Sequence, residues 1–340
     1  LKNNRILIFL VILLTVTVVY FIFTNKRYTI KKELRDFAVE DTGSIDKLFL
    51  ADKSGHSATL TREGPARWLV NGKYLARQDA INNLLFTLCK MTVRAPVAKA
   101  REENVLKEMA GINQRKIEIY SKGQLLKTIY VGAESADRQG TFMLLENSSV
   151  PFELHIQGHR GFLQTRFITD ERLWRDAGIF VYDDRDIRSI HVNYTESPQN
   201  SFTLNYSGNG FPAIIPAIIP AVPIKGLPDT LKSRRYLSEF RRIGYEYVVT
   251  ESFPQSSKDS ILASKPWVEI TVTDQTGKKN KVKGYHRATP SDTEPQPGDP
   301  PFDTDRMYAL LNDSDFVLVQ FYQFDRILKP AGYFFSSPRN

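Results

Sequence analysis

The sequence predicts an α+β protein: an N-terminal transmembrane helix followed by two tandem copies of a mainly antiparallel, strand-rich α+β unit. Three observations lead there. One is an uncharged run near the N-terminus, another is a set of fragments that recurs in order, and the third is short alternating apolar segments joined by turn chemistry. The 340 residues are enough for two ordinary domains, and 41% hydrophobic with 25% charged residues is a globular balance.

The run ILIFLVILLTVTVVYFIF, residues 6–23, holds 18 residues without a charge. As a helix it reaches about 27 Å, close to the roughly 30 Å hydrocarbon core of a bilayer. Tyr20, Phe21 and Phe23 fall where an aromatic interfacial belt belongs. The run ends in bulky residues, whereas a signal-peptide cleavage site needs small ones. The expectation is an uncleaved anchor over residues 1–32 with its span at 6–23.

Lys2, Arg5, Lys26, Arg27, Lys31 and Lys32 bracket this span, with no carboxylate among residues 1–32. They carry six of the eight net positive charges, which leaves +2 for residues 33–340. That is too little for a general polyanion surface, so nucleic acid is excluded as a partner. Two cations precede the span and four follow it, which taken strictly keeps the body inside. The very short leading tail favours the opposite orientation. The expected place is the cell membrane, single-pass, with the body in the periplasm. Cys89, the single cysteine, forms no intramolecular disulfide and leaves the compartment undecided.

Behind the anchor, IDKLFLADKSGHSATLTREG (45–64) reads as a hairpin with Ile45, Leu48, Leu50, Ala58 and Leu60 on one face. IRSIHVNYTESPQNSFTLNYSG (187–208) repeats it with Ile187, Ile190, Val192, Phe202 and Leu204. ARWLVNGKY supplies a third strand in the first copy. A helical stripe of Ile81, Leu84, Leu85 and Leu88 is answered by Leu237, Phe240 and Gly244. KIEIYSKGQLLKTIYVG and WVEITVTDQTGKKNKVKG are matching hairpins. The fragments opening Asp137-Arg138 and Asp305-Arg306 both run through LLEN or LLND into a last strand. The expected organisation is a first repeat at 45–170, a connector at 171–186 and a second repeat at 187–335.

Two inserts distinguish the second copy. Residues 289–301 are polar and proline-rich, as in an exposed loop. Residues 211–224, FPAIIPAIIPAVPI, are 14 residues without a polar side chain. Their prolines forbid a regular helix or a central strand, and a backbone without internal pairing is excluded from lipid. This insert either lies along the protein's own surface or presents Ile214, Ile215, Ile218 and Ile219 to a partner. The helix at LKSRRYLSEFRR adds Arg234, Arg235, Arg241 and Arg242 against Glu239. These arginines suit either a solvated face or an acidic partner or headgroup.

Signals of chemistry are weak. His155 and His159 in HIQGH have a metal-like spacing, but the alternation FELHI and Gly158 place them at a strand end and a turn. His56 sits in a hairpin turn and His191 on a polar strand face; His286 completes the five histidines. The acidic clusters at 183–186 and 134–137 read as connector and turn. No nucleophile elbow, phosphate loop or dinucleotide fingerprint occurs, so no catalytic residue, metal or cofactor is expected and the chain is not read as an enzyme. A hydrolase would need His155 or His159 to meet carboxylates in a cleft.

The segments WLVNGKYLARQDAINNLL, VGAESADRQGTFMLLE and VQFYQFDRILKPAGYF resemble the bacterial envelope proteins that carry domain of unknown function 4340. The resemblance covers the chain behind the anchor, the proline-rich insert excepted. It implies a membrane-associated protein, linked in some cases to gliding-type or other ABC transport systems, and it implies no catalytic residues. The expected function is that of an envelope interaction or transport accessory protein. The alternative is a glycan- or peptide-binding protein using a groove between the repeats, for which Trp68, Trp174 and Trp267 would offer exposed rings.

Overall fold

The computed structural model describes residues 11–20, 35–111, 114–206, 212–216, 226–250, 252–289 and 300–336. Residues 11–20 form a helix, α1, with every side chain exposed. The expected span continues beyond it into residues 6–10 and 21–23, which lie outside the described residues. Among the described residues no helix is long and apolar enough to cross a membrane. The chain divides into two compact units, Leu1–Asp176 and Ala177–Asn340.

The first unit runs β1 (Ile45–Asp52), β2 (Ser57–Gly64), β3 (Arg67–Val70), β4 (Tyr74–Leu75), α2 (Gln78–Lys90), β5 (Met91–Pro96) and α3 (Lys99–Met109). It closes with the meander β6 (Arg115–Ser121), β7 (Gln124–Glu134), β8 (Thr141–Leu145) and β9 (Phe152–Ile156). All pairings are antiparallel, in the order β4-β3-β2-β1-β6-β7-β8-β9-β5. Ile81, Leu84 and Leu88 of α2 are fully buried against one face of this sheet, together with Ile45, Leu48, Leu50 and Trp68. Along β8 the side chains alternate: Met143 joins that core, while Phe142 and Leu144 point the other way under Val105 and Met109 of α3. The sheet is thus covered on both faces across β7 and β8.

The second unit contains β10 (Gly178–Phe180), β11 (Ile187–Tyr194), β12 (Phe202–Asn205), β13 (Ala213–Pro216), α4 (Thr230–Ser238), β14 (Ile243–Gly244), β15 (Tyr247–Val248) and α5 (Gln255–Ala263). It ends with β16 (Val268–Asp274), β17 (Lys279–Ala288), β18 (Phe302–Leu311), β19 (Asp315–Gln320) and the short α6 (Phe321–Phe324). Its sheet has the order β13-β12-β11-β16-β17-β18-β19-β15. Strand for strand this is the first sheet again, with β4 alone lacking a counterpart among the described residues; β10 and β14 form a separate small ribbon. Even an irregularity recurs. Ile45 and Leu48 both face inward although three residues apart, because the β1–β6 register shifts between Ile45 and Lys47. The β11–β16 register shifts between Ile187 and Ser189, which turns Ile187 and Ile190 inward in the same way.

Several expectations change. The third strand of the first copy is a hairpin: Asn71 (φ 50°) and Gly72 (φ 65°) both take the left-handed region that a tight hairpin turn requires, so β3 and β4 separate there. The insert at 211–224 is not wholly additional. Residues 213–216 form β13, an edge strand in the position of β3, and residues 211 and 217–224 lie outside the described residues. Residues 290–299 of the other insert lie outside them as well. The helix α4 ends at Ser238, so Gly244 sits on β14 and not on a helical face. The connector expected at 171–186 is no loose linker: Trp174 is buried in the first core, and Ile179 and Phe180 in the second.

A salt-bridged position recurs with its sign reversed. By register, Ala95 lies opposite Glu153 and Tyr247 opposite Leu318, which makes Arg94 and Glu246 equivalent positions. Arg94 donates to Asp137 (2.6 Å) and Glu153 (2.7 Å), whereas Glu246 accepts from Arg306 (2.8 Å). Each pair ties the strand that leaves the first helix to the closing meander. Arg306→Glu is expected to lower the thermal midpoint of the second unit, and adding Glu246→Arg to recover it. Thermal denaturation of wild type, both single variants and the double variant checks the coupling.

Candidate interaction surface

The helix α4 begins at Asp229, whose side chain accepts the amide of Lys232 at 3.0 Å. Its inner face buries Ser233, Tyr236 and Leu237, and the turn after it buries Phe240. The Tyr236 ring meets Phe202, Phe240 and Phe334 with centroids 5.7, 5.3 and 5.0 Å away. Its hydroxyl donates to the Ile327 carbonyl at 2.7 Å. Burial, then the neighbouring Tyr194, pushes the Tyr236 phenol well above its ordinary pKa, so it stays a neutral donor. The helix is therefore rigidly seated, and its outer face is presented without slack.

That outer face carries Leu231, Arg234, Arg235, Arg241 and Arg242, all exposed. Arg241 reaches Asp183 and Asp184 only at 3.9 Å each. Beyond Arg242 opens a cleft of about 590 Å³, lined by Arg242, Tyr245, Tyr322, Gln323, Arg326 and the backbone of Gly178 and Gly244. Arg326 donates to the backbone carbonyls of Gln323 (3.3 Å) and Arg242 (3.2 Å) and lies 3.9 Å from the Glu239 carboxylate, which holds the Arg326 side chain against the Arg242 backbone. Gly244 is required by crowding: a Cβ there would stand 2.9 Å from the Ala177 carbonyl oxygen. Tyr322 is 87% exposed at the rim. Cations and phenol rings around a shallow opening suit recognition of an acidic or aromatic group. They place no general acid beside a base.

The insert residues separate. Ile214 packs against its own core, and Ile215 is exposed; Ile218 and Ile219 lie outside the described residues. The edge strand is also blunted. A proline is tolerated in an edge strand where its missing amide would have faced away from the sheet. Pro212, Ile214 and Pro216 share that row, so it offers a single donor to another strand.

The sequence-selected chemistry stays dispersed. His155 lies on β9 opposite Thr92, and His159 follows the Gly158 turn beside Arg166 at 3.3 Å. His56 meets Asp52 at 3.3 Å, and His191 meets the Thr203 hydroxyl at 2.8 Å. His286 is stacked between Trp267 and Phe302, with Glu196 at 3.1 Å. Among the described residues no group of three His, Cys, Asp or Glu side chains is placed to hold a metal. Trp68 and Trp174 are core residues and Trp267 is half-buried, so the rings expected to face a ligand do not. Tyr245, Tyr322 and Arg326 carry no motif in the sequence, and VQFYQFDRILKPAGYF, which holds the last two, enters only through its family resemblance. No family model, curated protein or solved structure compared with the chain matches it.

Ile214→Asp should destabilise the second unit by about 2 kcal/mol or more, while Ile215→Asp stays within roughly 0.5 kcal/mol. Urea denaturation of both variants tests which isoleucine the strand turns inward. A second test concerns Asp137. Hydrogen bonds from the Ser135 hydroxyl, then Arg94, then the Gln139 amide hold its carboxyl at a pKa of about 2, below the ordinary value of about 4. A folded pKa below the unfolded one adds stability above the unfolded value, and that stability is lost as pH falls through the folded one. Asp137→Asn should therefore lower the urea midpoint at pH 7, with the difference from wild type vanishing between about pH 4 and pH 2.

Proposed function

We propose that this chain is a single-pass, membrane-anchored accessory protein of the bacterial envelope. Its tandem α+β body docks another envelope component, such as a subunit of an ABC-type transport system. The observation that carries this reading is the rigid basic surface at the end of α4. Arg241, Arg242 and Arg326 stand beside Tyr245 and Tyr322 around an open cleft, with no acid–base pair in it. Support for the anchor comes from the uncharged run at 6–23, its flanking cations, and the exposure of every described residue of α1. The periplasm as the site of the body, and kinship with the envelope proteins carrying domain of unknown function 4340, belong to the same proposal.

Doubling a unit enlarges the surface available for contact without adding any reactive group, which fits docking better than turnover. A second reading, capture of a peptide or glycan, is favoured by the same cleft, because Tyr245 and Tyr322 offer rings beside two guanidinium groups. A ligand that fills it would raise the thermal midpoint.

A photo-crosslinking residue in place of Tyr322, in native membranes, is expected to trap a discrete envelope protein. Arg241→Glu with Arg242→Glu should abolish that adduct in chain that still shows a cooperative thermal transition. Recovery of the chain only as a free monomer, with no adduct, contradicts docking. A reporter fused to the C-terminus and active only in the periplasm checks the orientation.

A further inference from the structure

At the opposite end of α4 two leucines are held out into solvent. Leu227 and Leu231 are each 78% exposed. Neither belongs to a slack loop. The Leu227 carbonyl accepts the Ser336 amide at 3.0 Å, and Pro228 forms a bridge with Phe335. Gly226 (φ 119°) makes this approach feasible, since a Cβ there would stand 1.9 Å from the Ser336 carbonyl oxygen. Leu231 is fixed by the Asp229 cap and by the aromatic seat of α4. The backbone is tied down on both sides, and the two side chains still point away from the core.

Beside them on the helix stand Arg234 and Arg235, three and four positions after Leu231 and so on the same face. Neither is paired with a carboxylate among the described residues. Lys232 flanks the leucines, and Asp229, the nearest acid, is occupied by the helix N-terminus. Leucine so exposed is poorly suited to water, and the arginines beside it add positive charge to the same face. An acidic protein surface would answer the arginines and leave the leucines uncovered. An anionic bilayer answers both: leucine enters the acyl boundary, and arginine stems lie along the apolar layer with their guanidinium groups at the phosphates.

We propose that Leu227, Leu231, Arg234 and Arg235 form an interfacial patch that rests on anionic lipid headgroups. This goes beyond docking at the far end of the helix and rests on the anchored reading of the chain. A tether makes the second contact intramolecular, so a weak patch suffices to hold the body at the bilayer.

The test uses the full chain with Cys89→Ser and Leu231→Cys, labelled with an environment-sensitive fluorophore. It is reconstituted into vesicles of phosphatidylcholine alone, or of equal parts phosphatidylcholine and phosphatidylglycerol. The expected result is a shift of emission to shorter wavelength in the anionic vesicles only. Arg234→Gln with Arg235→Gln should remove the shift and the corresponding lysine variants keep it. Salt at about 1 M, where the screening length is roughly 3 Å, should reverse it. No shift, an equal shift in both lipids, or a shift that survives the glutamine variants overturns the proposal. A shift that appears only when solubilised envelope proteins are added assigns the patch to a protein and overturns it too. Flotation with both kinds of vesicle reports the anchor separately, so chain that floats without a shift disproves the patch and leaves the anchor intact.

Discussion

Each sheet is one sheet because its first strand is paired along both edges. In the first unit β1 takes β2 on one side and β6 on the other, and β6 arrives only after two more strands, a helix, an edge strand and a second helix. Without the β1–β6 ladder the chain would form two separate sheets, of four and of five strands, in place of one continuous face for the core. The register shift within that ladder brings Ile45 in beside Leu48, and the second unit repeats it at Ile187 and Ile190. Such a long-range closure orders the intervening helix as well. The inner face of α2 meets a finished sheet only when both halves are joined.

On this shared frame the two units have diverged where the frame does not constrain them. Arg94 pairs with Asp137 and Glu153, whereas Glu246 at the equivalent position pairs with Arg306, so the sign of the charge there has reversed. The underside of the first helix is aliphatic in one unit, with Ile81, Leu84 and Leu88. In the other it is aromatic, with Tyr236 and Phe240 against Phe202 and Phe334. The aromatic seat leaves the outer face of α4 free to carry arginine at both ends without loss of packing. Function on this reading sits on the helix whose inner side is best secured.

The frame was legible because strands that bury one face write their pattern into every second residue, and a duplicated frame writes it twice. What escaped has physical causes. In AREENVLKEM only Val105 and Met109 are buried, on a small second core, and α5 buries no residue at all, so neither helix shows an apolar stripe. Asn71-Gly72 was a hairpin signal inside a segment short enough to pass as one strand. Residues 213–216 read as surplus in the sequence because four prolines obscure a strand that tolerates them only at an edge. The cleft was unreadable in principle, since Arg242, Tyr245, Tyr322 and Arg326 come from separate elements. Their sequence neighbours say nothing of the opening they share.

The blunted edge of the second sheet has a consequence for the molecule among its own copies. In the first unit β3 is capped by β4; among the described residues the second unit shows no such strand, and two pyrrolidine rings lie on its edge. Crowded neighbours meet few rungs along the described part of this edge, so a continuous ribbon from one molecule to the next finds little to start from there. Replacing those rings by residues with an amide would restore the rungs and turn a dead end into a seed for fibrils.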